Sequence, residues 1–265
     1  METIRLRPVR RSPWWLITAY TVLGLVSLLT LSATGYVWVN YQSFASGVNS
    51  STALEGEPKS NNGDTNILIM GLDTRLDENG NPLPQDIYDA LHAGDEDNGG
   101  ENANVLMLLH VPGDGSKATA ISIPRDDYVN LPGKPDGTAK EKIKQAYGLA
   151  FAQEHRELYE QGERDKATME QKSREAGRKE EIDTVREFLG GIPIDHFVEV
   201  TLIAFYQIAK VVQPITVCLQ DRTQDTKSGA NFQPGQQQIS AAQAVAFVRQ
   251  RRDDVKGDPN YGNFT

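Results

Sequence analysis

Asn66-Ile-Leu-Ile-Met-Gly-Leu-Asp-Thr-Arg75 sets a short apolar run against Gly71 and places Asp73 and Arg75 just beyond it. A run of this length, closed by glycine, reads as a buried strand with a loop at its end. Functional groups commonly sit on loops held by such a scaffold. Opposite charges two residues apart can share a metal phosphate, carboxylate to cation and guanidinium to phosphate oxygens. Taken alone, the pair reads equally well as a salt bridge across a turn.

Working outward, Val105–Val111, Ala118–Ile123, Phe197–Val200 and Ile215–Leu219 are similar apolar runs and read as further strands. Leu202–Val212 spaces Leu202, Phe205, Tyr206, Ala209 and Val212 along one face of a helix. From Lys142 to Leu189 the chain is long and charged through its middle, with Glu163, Arg164, Asp165 and Lys166, then Glu175, Arg178 and Lys179. That alternation predicts a solvated helix or helical hairpin, with a docking surface as the alternative. Strands interleaved with helices predict an α/β domain, a central mixed β-sheet flanked by helices (α/β/α).

Upstream, no charged residue occurs between Ser12 and Leu54. Residues 14–39 are apolar and, at about 1.5 Å per residue, long enough to cross a bilayer as one transmembrane helix. Trp14 and Trp15 at one end and Tyr36, Trp38 and Tyr41 at the other form aromatic belts. Arg5, Arg7, Arg10 and Arg11 all precede the span, so residues 1–13 are expected in the cytoplasm and the rest outside. A cleaved signal peptide is the alternative, with Ser32-Ala-Thr-Gly35 as its small residues, but the apolar stretch runs past them. The localisation expected is a single-pass protein of the cell membrane. Residues 40–64, rich in Ser, Asn and Gly, predict a flexible extracytoplasmic linker, and the folded domain is expected over 65–265.

The net charge is −9, and the N-terminal arginines make the remainder more acidic still. Nucleic acid is therefore disfavoured as a partner, and an anionic ligand needs a local arginine cluster. The one cysteine, Cys218, lies in a strand-like run and is expected to be buried and inert. His92, His110, His155 and His196 lack metal-ligand spacing, and no nucleophile elbow or phosphate-binding glycine loop occurs.

Three further stretches end apolar elements with functional groups. Ile121-Ser-Ile-Pro-Arg-Asp-Asp127 stops a strand at Pro124 and presents Arg125, which suits bidentate phosphate recognition. Asp126 and Asp127 are general-base candidates by proximity alone. Ser240 and Gln243 form a capping box that opens a helix ending in Arg249-Gln-Arg251. On a helix these arginines point about 200° apart, so they converge only if the helix ends first. The alternative is a solvated last turn that complements the helix dipole. Asn104 opens the strand that follows it, on a side where a ligand group can sit.

These stretches, with Lys142-Ile-Lys-Gln-Ala-Tyr147, Gly191-Ile-Pro-Ile-Asp-His-Phe197, Ala244-Val-Ala-Phe-Val-Arg-Gln-Arg251 and Gly257-Asp258, resemble the LytR-CpsA-Psr family, in order, over residues 65–265. The resemblance implies transfer of a glycan phosphate from a polyprenyl-pyrophosphate-linked donor to peptidoglycan, with magnesium. It implies that Arg75, Arg125, Arg249 and Arg251 grip the pyrophosphate and stabilise its developing charge, and that Asp73 holds the metal. It also implies an apolar tunnel for the polyprenyl tail. Asn104 stands where the family has a metal-ligating Asp; Asp95, Glu96, Asp97 or Glu101 would have to compensate. The family's Arg-rich segment after Gly-Asp is expected where the chain reaches Thr265, which implies a C-terminally truncated domain whose activity is in question. The charged insertion resembles actinobacterial members, for which the glycan is arabinogalactan. A polyprenyl-phosphate-binding scaffold and a pyrophosphate hydrolase are the competing readings.

Overall fold

The structure, a computed structural model, describes residues 14–46, 50–94 and 100–254. The chain divides into two compact units, one up to Ser51 and one from Thr52 onward.

In the first unit, α1 (Trp14–Ser46) is one continuous helix. Its segment Trp14–Val39 has a mean hydropathy of 1.9 and is a candidate single membrane span. Thr18, Thr21, Thr30 and Ser32 donate their hydroxyls to carbonyls four residues back, so their polar groups are satisfied within the helix. The preceding arginines lie outside the described residues.

In the second unit, β1 (Thr65–Leu72) is followed by the short helix α2 (Gln85–Leu91). Then come β2 (Ala103–Val111), β3 (Thr119–Ile123), β4 (Tyr128–Asn130) and β5 (Lys140–Lys142). Two helices follow, α3 (Gln145–Glu160) and α4 (Lys166–Phe188). The rest is β6 (His196–Val200), α5 (Leu202–Val212), β7 (Ile215–Leu219), β8 (Thr223–Asp225), β9 (Ala230–Phe232), β10 (Gly235–Ile239) and α6 (Ala241–Arg249).

The central sheet has the order β3-β2-β1-β6; β1 runs antiparallel to β2 and parallel to β6, so it is mixed, as expected. Burial along β1 alternates strictly. Leu68, Met70 and Leu72 pack with Leu106, Leu108 and Ile123 against Tyr147, Ile182 and Val185 of α3 and α4. Burying each such aliphatic side chain contributes roughly 1.5–3 kcal/mol. Gly177 lets the two helices close: a Cβ there would lie 2.7 Å from the Tyr147 ring. On the opposite face Val105 and Val198 remain half-exposed.

Three expectations are corrected. Residues 52–64 are not a free linker: Ala53 is part of the core, Glu57 pairs with Arg186 at 2.7 Å, and Ser60 donates to Asp195. Polar composition concealed this, because the contacts are made by charged and small residues to segments far away in sequence. The β7 strand forms, but in a separate ribbon with β10. Its Ile215, Val217 and Leu219 pack toward the core there, while the alternate residue Cys218 is exposed rather than buried.

The third correction concerns the charged hairpin. Its two helices are present, yet α4 is not a solvated face: Glu170, Arg174, Arg178, Glu180 and Glu181 are all buried. Arg174 Nε lies 2.7 Å from Glu170, and Arg178 Nε 2.8 Å from Glu199 on β6. The Tyr147 hydroxyl also donates to Glu199. Among the described residues no cation pairs with Glu181, and complete burial pushes its carboxyl well above the usual range.

Candidate functional site

Every candidate arginine stands at the end of an element. Arg75 follows β1. Its Nη1 reaches Asp73 Oδ1 at 2.8 Å, and its Nε donates to the Ala93 carbonyl at 2.8 Å. Arg249 is the last residue of α6 and donates to the Leu91 carbonyl at 2.7 Å and the His92 carbonyl at 3.3 Å. Three successive carbonyls at the C-terminal end of α2 thus hold both guanidiniums. Exposed backbone carbonyls at a helix C-terminus favour cations.

The capping box at Ser240 and Gln243 is present. Its helix stops at Arg249, and Gln250 is extended at φ −60°, ψ 128°. This is the break that convergence of Arg249 and Arg251 requires. Side chains of β8 hold the extended segment: the Arg251 backbone N–H donates to Asp225 at 3.2 Å, and Gln250 donates to Thr223.

The electrostatics report proximity. Burial lowers the pKa of Arg249, and the charges of Arg75 and Arg251 lower it further. Burial likewise lowers that of Arg251, followed by the charge of Arg125, while Asp73 and Asp126 oppose the shift. Arg75, Arg249, Arg251 and Arg125 therefore form one field of positive charge. An anion is the group that such a field accommodates.

Arg125, after β3, donates from Nη1 to Asn104 Oδ1 at 3.0 Å and lies 3.6 Å from Asp126. Asp126 also holds Lys144 at 2.9 Å and Lys142 at 3.5 Å. The Lys144 hydrogen bond brings its carboxyl down to about 2. A carboxylate held that low is a poor proton acceptor at neutral pH, which argues against Asp126 as the general base. The two lysines were legible as a motif, but their role was not. The pairing of β4 with β5 carries Lys142 there, and the Lys144 N–H donates to the Arg125 carbonyl at 3.2 Å.

Asp73 and Asn104 stand at neighbouring ends of β1 and β2, where the Asp73 N–H donates to the Asn102 carbonyl. Each already serves an arginine, so the turn salt bridge and the ligand site share residues. Among the described residues no group of three or more acidic, histidine or cysteine side chains stands together to hold a metal, so a cation at Asp73 would need phosphate oxygens to complete its shell. Glu101 does not compensate for Asn104: it engages Thr74 and the buried Arg174. Asp95, Glu96, Asp97, Gly257 and Asp258 lie outside the described residues.

Comparison with known proteins gives a consistent picture. The LytR_cpsA_psr family model matches residues 36–261. The cell wall biosynthesis protein LcpA of Corynebacterium glutamicum is 38% identical over 243 residues, 90% of this chain and 46% of that protein. Polyisoprenyl-teichoic acid–peptidoglycan teichoic acid transferase TagU of Bacillus subtilis is 26% identical over 246 residues, 90% of this chain and 63% of that protein. The chain thus spans about half to under two thirds of the length of these relatives. Among solved structures, B. subtilis TagV is similar at a TM-score of 0.45 and 23% identity, over 74% of this chain and 59% of that one.

Proposed function

The chain belongs to the LytR-CpsA-Psr family, and on that premise we propose that it transfers a glycan phosphate from a polyprenyl-pyrophosphate-linked precursor to peptidoglycan. The observation that carries this reading is that Arg75 and Arg249 are held on the successive carbonyls of residues 91–93, with the helix broken at Gln250 just before Arg251. Relatives named for cell wall biosynthesis and for moving a polyisoprenyl-linked polymer to peptidoglycan support it. The polymer we propose is arabinogalactan, from the resemblance to actinobacterial members.

In the reaction, an acceptor hydroxyl oxygen attacks the sugar-bearing phosphorus. The bond from that phosphorus to the bridging oxygen breaks, polyprenyl phosphate leaves with the electron pair, and the hydroxyl proton passes to the departing phosphate. The four guanidiniums bind the non-bridging oxygens and stabilise the charge that develops on the leaving phosphate. Asp126 orients Arg125, Lys142 and Lys144. Asp73 and Asn104 would hold a magnesium ion, which would neutralise phosphate charge when bound. The polyprenyl tail is placed, as the resemblance implies, in an apolar tunnel inside the domain. With the arginines before the span, the N-terminus is cytoplasmic and the domain from Thr52 extracytoplasmic.

One observation favours a second reading, a polyprenyl-phosphate-binding protein without transfer: Asn104 brings no charge and is bonded to Arg125. Product analysis separates the readings. The full chain in nanodiscs is given a polyprenyl-pyrophosphate-linked saccharide and peptidoglycan. Saccharide phosphate on peptidoglycan, reduced at least about tenfold in Arg249→Ala, is the expected result. Free saccharide phosphate would make it a hydrolase, and intact bound donor a scaffold.

A further inference from the structure

Asp73 and Arg75 ride on the segment that leaves β1, and α4 grips that segment just beyond them. The Asp77 carbonyl accepts from Arg174 Nη2 at 3.2 Å. The Glu78 carbonyl accepts from Gln171 Nε2. At Gly80 the backbone is left-handed at φ +75°, and a Cβ there would lie 2.9 Å from Glu170 Oε2, so only glycine closes on that carboxylate without strain. Glu170, Gln171 and Arg174 lie within one turn of α4 and so present one side of the helix to the segment.

Arg174 is at the centre of this grip. It is 2% exposed, and its Nε and Nη1 reach Glu170 at 2.7 Å and Glu199 at 3.4 Å. Its remaining nitrogen is the one that meets the Asp77 carbonyl. Its charge also acts on Glu101, whose side chain is bonded to the buried Thr74. Thr74 and Asp77 stand on either side of Arg75, and both lead back to Arg174. Arg178, one turn further along, is buried in the same way, but its bonds run to Glu199 and Glu175. The planar guanidinium fork of Arg174 therefore fixes a strand, a helix and a functional loop against one another.

We propose that Arg174 is a positioning residue, which holds the segment 74–80 so that Arg75 and Asp73 are aimed at the donor pyrophosphate. This rests on the transfer reading above and deepens it. Groups that act on a substrate need supporting residues that hold them to a fraction of an ångström. Buried as it is, Arg174 acts on the donor only through that segment.

The test compares Arg174→Lys with Arg178→Lys in the full chain in detergent micelles. Lysine keeps a charge for the glutamates, but its single nitrogen does not span to the Asp77 carbonyl as well. Both variants are expected to lose similar stability in chemical denaturation. Only Arg174→Lys should loosen residues 74–81, with amide exchange there faster by about tenfold. Only Arg174→Lys should weaken binding of polyprenyl pyrophosphate, also by about tenfold. Combined with Arg75→Ala, it should weaken binding no further than Arg75→Ala alone, because it acts through that residue. Unchanged exchange in Arg174→Lys, equal loosening in Arg178→Lys, or losses of affinity that add in full would overturn the proposal. If Arg174→Lys does not fold, Gln171→Ala carries the same test with smaller changes in the same direction, and no change in either readout overturns it. If Arg75→Ala binds as wild type does, the pyrophosphate reading of Arg75 falls, while amide exchange still decides whether Arg174 holds the segment.

Discussion

On α4, Arg174 and Arg178 are buried, and carboxylates answer them: Glu170 and Glu199 for the first, Glu199 and Glu175 for the second. At the ends of β1, β3 and α6 the arginines outnumber the acids, and Arg249 and Arg251 are depressed by burial and by like charge. The first group is stabilised by the protein itself. The second is held by backbone carbonyls and the Asn104 amide, with Asp73 and Asp126 as fewer acids than arginines, and its charge balance is completed by something else. Similar residue types therefore do opposite work, and the difference is how many acids stand opposite them.

Removing one partner of a buried pair strands the other, so Arg178→Ala is expected to cost about 3–5 kcal/mol of stability. Chemical denaturation of Arg178→Ala and Arg125→Ala measures this, with the Arg125 variant close to wild type. Equal losses in both would break the distinction between the two groups.

Ligand affinity should show the reverse order. Arg125→Ala is expected to weaken polyprenyl-pyrophosphate binding by about 1.5–3 kcal/mol, the worth of a charge-assisted phosphate contact. Arg178→Ala, titrated under conditions where it is folded, should bind as wild type does. A lipid titration in which Arg178→Ala loses more would place the site elsewhere.

The smallest effect tests the metal. Asn104→Asp adds a carboxylate to the cluster in which arginines outnumber acids and is expected to raise magnesium affinity severalfold in the absence of lipid. The gain is muted because Arg125 sits 3.0 Å from the Asn104 oxygen and would pair with the new charge. Asp73→Asn should abolish magnesium binding. Calorimetric titrations with and without polyprenyl pyrophosphate read both; unchanged affinity in all three proteins would remove magnesium from the site.

Local pattern determined much of this protein without its tertiary structure. The run 66–70 predicts β1, the spacing of Leu202 to Val212 predicts α5 to the residue, and Ser240 with Gln243 predicts the start of α6. The candidate span needs only composition. Such signals are legible because periodicity, capping and hydropathy act between near neighbours. What stands opposite a residue was decided only by the fold. Arg178 in a run of alternating charges reads the same whether water or a distant carboxylate faces it, and Glu199 reaches it from a strand beyond the next loop. Cys218 was misread because strand pattern alone does not tell which face is covered. Arg75 and Arg249 are brought together by the carbonyls at the end of α2, a helix the sequence did not predict, because long-range packing rather than local propensity sets that meeting.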